Sequence, residues 1–460
     1  MPALYRIAAI AVAGATLYYA GLLNSIIISR PDRPGAVAVV LAIGAALVVI
    51  VAALRGRSDG VVRAPRFIPL HRLTWLFICI LAMVSIAWLF TMPRKHSDDW
   101  TSYHNDAIAL NECAAQLLLQ GRDPYASLDI FACYQARDLG ADRTTPLQRG
   151  MFSDVVIYPT DDELDAAWAA RSTGGGNVEF VTRPSYPALS FLLLVPFVAL
   201  GIDTNYVYLA CLLLAMALIV WRASAGLRPF VLTGLLGASC LVAFTVGGSA
   251  DLLYALPLVA AWLWRDRLGG AFAFGAAAAI KQIAWFVAPF WLIAAYATGG
   301  WRLVLRQALA AAAVFVVVDL PFMLWHPADW LAGILTPVSE PMFPRGAGLI
   351  FLSTNGGLAM LPATAYLAME ALAMAACLVT AWRARRSSPE LGIALALIPL
   401  YFAYRSLFSY FFLIPLFAFA GLVRLPLRDV TPREARDAGA LTLFASPAPL
   451  RALSRDERAA

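Results

Sequence analysis

Long apolar runs without charged residues recur along most of this chain, and they constrain its fold more than any other feature. A helix that crosses the hydrocarbon core of a membrane needs about 20 apolar residues. The chain has 460 residues, of which 61% are hydrophobic and 14% are charged, whereas soluble proteins carry about 25% charged residues. This composition excludes a cytosolic enzyme, a secreted disulfide scaffold and a nucleic-acid-binding protein.

The apolar runs predict an all-α polytopic membrane protein with 12 or 13 transmembrane helices. The candidate runs are Leu4–Ser29, Pro34–Leu54, Leu73–Pro93, Pro184–Ile202, Thr204–Trp221, Pro229–Val246, Asp251–Trp264, Leu268–Ile280, Gln282–Gly299, Leu303–Trp325, Ala363–Trp382, Leu391–Tyr404 and Ser406–Val423. They divide the chain into N-terminal helices (1–92), an extracytoplasmic loop (93–185), a transmembrane core (186–424) and a disordered cytoplasmic tail (425–460).

The distribution of charged residues predicts which loops face the cytoplasm, because short cytoplasmic loops are enriched in Lys and Arg. The loop 55–72 holds five arginines and one aspartate, and arginines also mark the turns near 265, 302 and 383. The long loop 94–183 instead carries 14 acidic and 8 basic residues, so we expect it outside. The pI near 9.0 is therefore an orientation signal rather than a binding patch.

One conflict in this topology stays open. An outside loop before Pro184 and an inside turn at Arg265 require an odd number of crossings, but hydropathy offers four. Either one of these runs is re-entrant, or the turn between Arg222 and Arg228 does not follow the charge rule.

The extracytoplasmic loop is expected to be partly helical. Asp106–Gln120 has an apolar stripe with helical spacing, which predicts a juxtamembrane helix lying flat on the membrane. Cys113 and Cys133 both lie in this loop, where an oxidising compartment permits a disulfide. The spacing alone leaves open whether they are bridged.

Ionisable residues inside apolar runs are costly and are treated first as functional candidates. Four stand out: Asp251, Lys281, Asp319 and Glu370. The ordinary alternative is that each pairs with a neighbour or extends its charged end to the membrane surface. Lys281 lies where two short apolar runs meet, as at the tip of a hairpin reaching into the membrane.

The stretch HSDDWTSYHND, His96–Asp106, concentrates acids and histidines just outside a predicted span. A carboxylate here could act as a general base for a hydroxyl acceptor. The mixed His and carboxylate set is also compatible with a divalent cation, Mg or Mn, although it lacks a fixed ligand spacing. A solvated acidic edge is the ordinary alternative.

Several short motifs resemble those of the GT-C glycosyltransferases, in particular the bacterial polyprenyl-phosphomannose-dependent mannosyltransferases. Asp106 is followed by an apolar helix and then by Gly121-Arg122-Asp123-Pro124-Tyr125, which is similar to the first outside loop of that family. Tyr186-Pro187-Ala188-Leu189 and Lys281-Gln282 agree with it. Asp251 after two glycines and Arg405–Tyr410 fit less specifically.

The resemblance implies transfer of a sugar, mannose or another hexose or pentose, from a polyprenyl-phosphate donor to an envelope acceptor, with inversion. The acceptor would be a glycolipid, a glycan or a protein, on the outer face of a bacterial plasma membrane. An aspartate of the first outside loop would be the catalytic base: Asp106 matches best, followed by Asp99 and Asp98. The chain departs from the family in its extra N-terminal span and in the enlarged segment Arg137–Arg183.

Further residues are predicted to bind the substrates. Cationic groups near the outer surface would hold the leaving lipid phosphate, with Lys281, Arg405, Arg183 and Arg345 as candidates. The remaining predicted substrate-binding residues are Gln282, Asp251, Tyr125, Tyr186 and His104. The alternative function is a transporter or a flippase of polyprenyl-linked or other envelope precursors, which would use the same buried charges as a relay.

Overall fold

The computed structural model describes residues 3–55, 68–91, 106–136, 139–172, 179–245 and 250–425. Within these ranges the chain is mostly α-helical. The first ten helices are α1 (Ala3–Ser29), α2 (Arg33–Leu54), α3 (Ile68–Thr91), α4 (Asp106–Leu119), α5 (Pro124–Ser127), α6 (Ile130–Gln135), α7 (Asp161–Ser172), α8 (Leu189–Leu192), α9 (Val195–Ala199) and α10 (Asn205–Arg222). The others are α11 (Arg228–Gly237), α12 (Cys240–Ala243), α13 (Asp251–Leu263), α14 (Leu268–Ala278), α15 (Ile283–Trp325), α16 (Pro327–Ser339), α17 (Phe351–Thr354), α18 (Ala363–Ala384), α19 (Leu391–Leu395) and α20 (Ile414–Leu422), with strands β1 (Arg345–Gly346) and β2 (Arg405–Ser406).

Six helices in the described ranges are long and apolar enough to cross a membrane. They are Ala3–Ile28, Arg33–Leu54, Arg72–Phe90, Asn205–Arg222, Ile283–Trp325 and Ala363–Ala384. Large apolar side chains lie exposed on them, such as Val48, Val317 and Leu372, as expected for surfaces that contact lipid. The prediction of an all-α chain with several membrane-length helices is confirmed, whereas the number 12 or 13 stays a prediction because the other apolar helices have only 10–17 residues.

The longest helix, α15, contains the break that the sequence predicts between two spans. Its 43 residues include Gly300, whose φ of 64° and ψ of −162° are not helical. Glycine adopts such a positive φ without the steric cost that a side chain would impose. The two apolar runs on either side of Gly300 are therefore two helices that meet at a kink, and they pack against each other, with the ring centroids of Trp285 and Phe315 6.1 Å apart.

The segment from Ser190 to Thr204 leaves helix α4 and returns to it. Ser190 Oγ donates to Asn111 Oδ1 at 3.0 Å, and Thr204 Oγ1 donates to Glu112 Oε1 at 2.5 Å. The acceptors are consecutive residues of α4, so both ends of the segment lie at the same level. This path favours the re-entrant alternative, in which α10, α11 and α13 would be the three crossings before Arg265; that these helices cross the membrane stays a prediction.

Helices α13 and α14 form an antiparallel hairpin with its turn at the end opposite to Asp251. The two helices have 13 and 11 residues, and each is therefore only about 15–20 Å long. At the turn, Arg265 makes a bidentate, buried ion pair with Glu390, at 2.7 and 2.6 Å. Because the arms are of similar length, Lys281, just after α14, returns to the level of Asp251.

The segment 106–185, named the extracytoplasmic segment because the sequence predicts that it faces outside, is folded in its described residues and has a small apolar core of its own, which includes Phe131, Phe152 and Phe180. A disulfide joins Cys113 of α4 to Cys133 of α6, with their Cα atoms 6.1 Å apart. The prediction of a partly helical loop is thus confirmed. The prediction of a single buried stripe on α4 was wrong: Ala107 to Asn111 are all buried, because α6 covers one side of α4 while α8 and α9 cover another. That α4 lies flat on the membrane stays a prediction.

The predicted disordered tail is outside the described residues beyond Leu425. Within the described ranges, the two-residue strands β1 and β2 form a two-stranded sheet. They pair in parallel, with Arg345 opposite Arg405.

Candidate active site

Asp106, the predicted catalytic base, is the first residue of α4. Its Oδ2 accepts a hydrogen bond from Thr145 Oγ1. Burial raises the pKa of the Asp106 carboxyl above its ordinary value, while the Thr145 hydrogen bond and the charges of Arg405 and Lys281 act in the opposite direction. A carboxyl with a raised pKa that still has cationic neighbours is a reasonable general base, because its affinity for a proton is increased.

Lys281 and Asp251 form a buried ion pair at the open end of the α13–α14 hairpin. Lys281 Nζ lies 2.6 Å from Asp251 Oδ1, and the exposed fractions of the two side chains are 11% and 3%. The same ammonium lies 5.0 Å from the centroid of the Tyr186 ring, in a cation–π contact. The charge of Lys281 is therefore balanced locally, but it still acts on Asp106.

Arg405 and Arg345 are brought side by side by the β1–β2 ladder. Residues directly opposite each other on neighbouring strands point to the same side and lie about 5 Å apart. Arg405 Nη1 donates to the carbonyl of Phe343 at 3.3 Å, and the Arg345 guanidinium lies 4.0 Å from the centroid of the Tyr158 ring. Two adjacent like charges are unfavourable alone, so this pair is suited to binding an anion.

Four tyrosines surround these charges: Tyr134, Tyr158, Tyr186 and Tyr410. Asp106 acts electrostatically on the first three, and Lys281 and Arg405 act on Tyr410. Burial raises the pKa of Tyr134 and of Tyr158. These two phenols therefore remain neutral at physiological pH, and each donates its hydroxyl hydrogen within the protein: Tyr134 to the carbonyl of Arg143 at 3.2 Å and Tyr158 to the carbonyl of Thr144 at 3.4 Å.

The Tyr186–Leu189 motif is fixed by its backbone from several directions. Tyr125 Oη donates to the carbonyl of Tyr186 at 2.7 Å, and Gln282 Nε2 donates to the carbonyls of Ser185 and Ile334 at 2.7 and 3.1 Å. Tyr125 and Gln282 were predicted to bind substrate, but in the structure their polar groups are used within the protein. They position Tyr186, whose ring faces Lys281.

The Gly121–Tyr125 motif has a similar structural role. Asp123 Oδ1 accepts from the backbone N–H of Tyr125 at 3.0 Å and caps α5. Asp123 Oδ2 lies 2.7 Å from Nδ1 of His326, at the end of α15. The motif thus ties the extracytoplasmic segment to the helix that follows Gly300.

Three further predicted residues have contacts of their own. Arg183 is half-exposed, and its guanidinium lies 3.6 Å from Asp329, so its charge is partly balanced and its role in holding phosphate stays a prediction. Asp319 accepts from the backbone N–H of Ala188 at 3.0 Å and from Trp330 Nε1 at 3.1 Å, which is the ordinary structural alternative. Glu370 acts electrostatically on Tyr410 and so lies near the edge of the cluster.

Asp98, Asp99 and His104 lie outside the described residues, and so does His96. The suggested Mg or Mn site depends on these residues together with Asp106. Among the described residues, no group of three or more His, Cys, Asp or Glu side chains could hold a metal ion.

Thr145 and Tyr158 belong to the site although no sequence feature marks them as functional. Both lie in the enlarged segment after Cys133, where no motif marks them. Arg345 was selected only as a cation near the outer surface. Its pairing with Arg405 joins residues 60 positions apart, and no local sequence pattern encodes such a contact.

Comparison with known protein families, curated proteins and solved structures finds no significant match to this chain. The resemblance to GT-C glycosyltransferases therefore stands on the short motifs, and the functional interpretation stands on the geometry of the site.

Proposed function

We propose that this chain is a membrane glycosyltransferase with a GT-C-like architecture. It transfers a sugar, mannose or another hexose or pentose, from a polyprenyl-phosphate donor to a hydroxyl of an envelope acceptor. The site would face outward from a bacterial plasma membrane. The acceptor class, whether glycolipid, glycan or protein, is left to experiment.

The observation that carries the proposal is the convergence of Asp106, Lys281 and Arg405 beside a set of apolar helices. These residues come from α4, from the α14–α15 junction and from β2, and electrostatic interactions connect Asp106 to both cations. A transfer with inversion needs one base for the acceptor and a cationic group for the leaving phosphate, without a covalent nucleophile. The cluster contains both.

The proposed roles follow from the contacts of each side chain. Asp106 takes the proton of the acceptor hydroxyl while the acceptor oxygen bonds to the anomeric carbon of the sugar. The bond from that carbon to the phosphate oxygen breaks, and its electron pair leaves with the lipid phosphate. Arg405, beside Arg345, stabilises the phosphate by charge-assisted hydrogen bonds, and the Lys281–Asp251 pair holds Tyr186 at the edge of the site.

A lipid-linked donor also explains why such a site lies on a membrane protein. A polyprenyl chain is apolar and would remain in the bilayer, against the exposed apolar faces of the long helices, while its phosphate reaches the arginines. A soluble nucleotide donor is disfavoured, because the sequence contains no phosphate-binding glycine loop between a strand and a helix.

The test uses purified protein in detergent and in proteoliposomes, with radiolabelled polyprenyl-phosphate sugars and a pool of envelope acceptors. The proposal predicts that label appears in a new product with the opposite anomeric configuration. Labelled lipid that crosses the proteoliposome membrane without forming a product would contradict transfer and would support the flippase alternative.

A further inference from the structure

The segment that carries Thr145 is held on both sides by backbone hydrogen bonds. On one side, Val181 N donates to Thr145 O at 3.0 Å and Leu147 N donates to Glu179 O at 2.7 Å. On the other side, Gln148 N donates to Pro341 O at 2.8 Å, and Arg149 pairs with Glu340. Thr145 is thus fixed relative to the chain that leads into β1 and Arg345.

This rigid segment places the Thr145 hydroxyl on Oδ2 of Asp106. The other charged and titratable groups that face Asp106 act on it electrostatically: Arg405, Lys281, Tyr134, Tyr158 and Tyr186. The Thr145 bond differs from them because a hydrogen bond is directional. The backbone N–H of Ala107 also hydrogen-bonds to Asp106, but Ala107 is the next residue of α4, whereas Thr145 comes from a separate segment. The Thr145 bond fixes the rotation of the carboxylate, whereas electrostatic attraction at longer range does not.

We infer that Thr145 is the positioning residue of Asp106, holding Oδ2 so that Oδ1 receives the proton of the acceptor hydroxyl. This inference rests on the proposed function for its role in transfer. The contact itself can be tested without it. Thr145 lies in the enlarged segment Arg137–Arg183, by which this chain departs from the family pattern. This segment therefore supplies a residue of the site and does more than cover it.

The first experiment measures how readily Asp106 is protonated, independently of any transfer. Dicyclohexylcarbodiimide modifies protonated carboxyl groups, and mass spectrometry of the peptide that contains Asp106 gives the extent of modification at each pH. Thr145→Val removes the hydroxyl and keeps the shape of the side chain, whereas Thr145→Ser keeps the hydroxyl and is the matched control. Thermal unfolding confirms that each variant is folded, and Thr145→Ala replaces Thr145→Val if the latter is not.

We expect the midpoint of modification to move to higher pH by about one unit in Thr145→Val, because a hydrogen bond to the carboxylate stabilises its ionised form. Thr145→Ser should keep the wild-type midpoint. An unchanged midpoint in Thr145→Val, or the same shift in Thr145→Ser, would overturn the inference.

The second experiment measures the pH profile of sugar transfer in the same variants. The acid limb of the profile should move upward in Thr145→Val, and the plateau rate should fall about tenfold or more because the base is no longer oriented. Thr145→Ser should restore both. If the midpoint of modification shifts in Thr145→Val but the wild type transfers no sugar, the proposed function is contradicted and the Thr145–Asp106 contact stands. If the wild type transfers sugar but the pH profile of Thr145→Val is unshifted, only the positioning role is overturned.

Discussion

Asp251 and Lys281 illustrate how a buried ion pair can hold a candidate site in place. Both side chains are nearly inaccessible to solvent, so each charge has lost its hydration and depends on the other. Removing one partner from such a pair leaves an uncompensated buried charge. The pair is therefore a strong constraint on where Lys281, and with it Tyr186, can lie.

We predict that Asp251→Leu and Lys281→Met each lower the free energy of unfolding by about 3–5 kcal/mol. The double variant should regain most of this loss, because replacing both charges by apolar groups removes the desolvation cost. Thermal unfolding in detergent measures the effect. As a control, Arg183→Gln breaks a half-exposed pair and should change stability by less than about 1 kcal/mol. Additive losses in the double variant would contradict the coupling.

Gln282 was predicted to bind substrate, and the structure instead places its amide between two backbone carbonyls. Gln282→Ala should destabilise the protein by about 1–3 kcal/mol, because two buried carbonyls lose their donor. The affinity of Gln282→Ala for the polyprenyl-phosphate sugar should change much less than that of Arg405→Gln, which removes a cation that faces Asp106. Donor binding and thermal unfolding, measured on both variants, separate the two roles. An equal loss of donor affinity in both would restore the direct binding role.

Among the helices, α4 links the disulfide to the proposed catalytic carboxylate. Asp106 begins α4, and Cys113 lies two turns further along, bridged to Cys133 of α6. The bridge closes a loop across a sequence separation of 20. It stabilises mainly by restricting the unfolded chain.

We predict that Cys113→Ser destabilises the extracytoplasmic segment by about 2–4 kcal/mol without unfolding the apolar helices. Limited proteolysis should then cut between α4 and α7, while the helical circular dichroism of the whole protein changes little. Cys377→Ser, which alters a cysteine outside the disulfide, is the matched control. Resistance to protease equal to that of the wild type would show that the bridge is dispensable for this segment.

The helices could be predicted where a single physical signal dominated. The apolar run of α2 and the stop at Gly121 after α4 appear directly in the sequence, because length of apolar sequence and glycine geometry act locally. The packing of other helices against opposite sides of α4 could not be predicted in this way. It depends on α6 and α9, which pack on α4 through contacts between distant parts of the chain.

The site was predictable to the same degree. Lys281 was selected because ionisable residues inside apolar runs are costly, whereas Asp106 and Arg405 were selected from the resemblance and as a carboxylate and a cation near the outer surface. Thr145 is an ordinary threonine in a polar loop, and only the backbone hydrogen bonds to Glu179 and Pro341 bring its segment to the carboxylate. A cost of burial is visible in the sequence, whereas a contact made by a folded loop is not.

The whole molecule has one topological feature that experiment can decide, namely whether the segment between Ser190 and Thr204 is re-entrant. The Leu200 side chain in this segment is 74% exposed. We predict that Leu200→Cys reacts with a membrane-impermeant maleimide from the same side as Met151→Cys in the extracytoplasmic segment. Leu268→Cys, at the turn of the α13–α14 hairpin, should react only from the opposite side. If Leu200→Cys reacts from the same side as Leu268→Cys, the segment crosses the membrane.

The proposed reaction depends on Asp106 acting as a base and not as a binding group. Asp106→Asn keeps the size of the side chain and removes its proton affinity. Donor binding and transfer should therefore be measured on one preparation of this variant beside the wild type. We predict unchanged donor binding and a transfer rate lowered by about 10²–10⁴-fold. Transfer at the wild-type rate by Asp106→Asn, or its loss in Asp99→Asn instead, would contradict the assignment of Asp106 as the catalytic base.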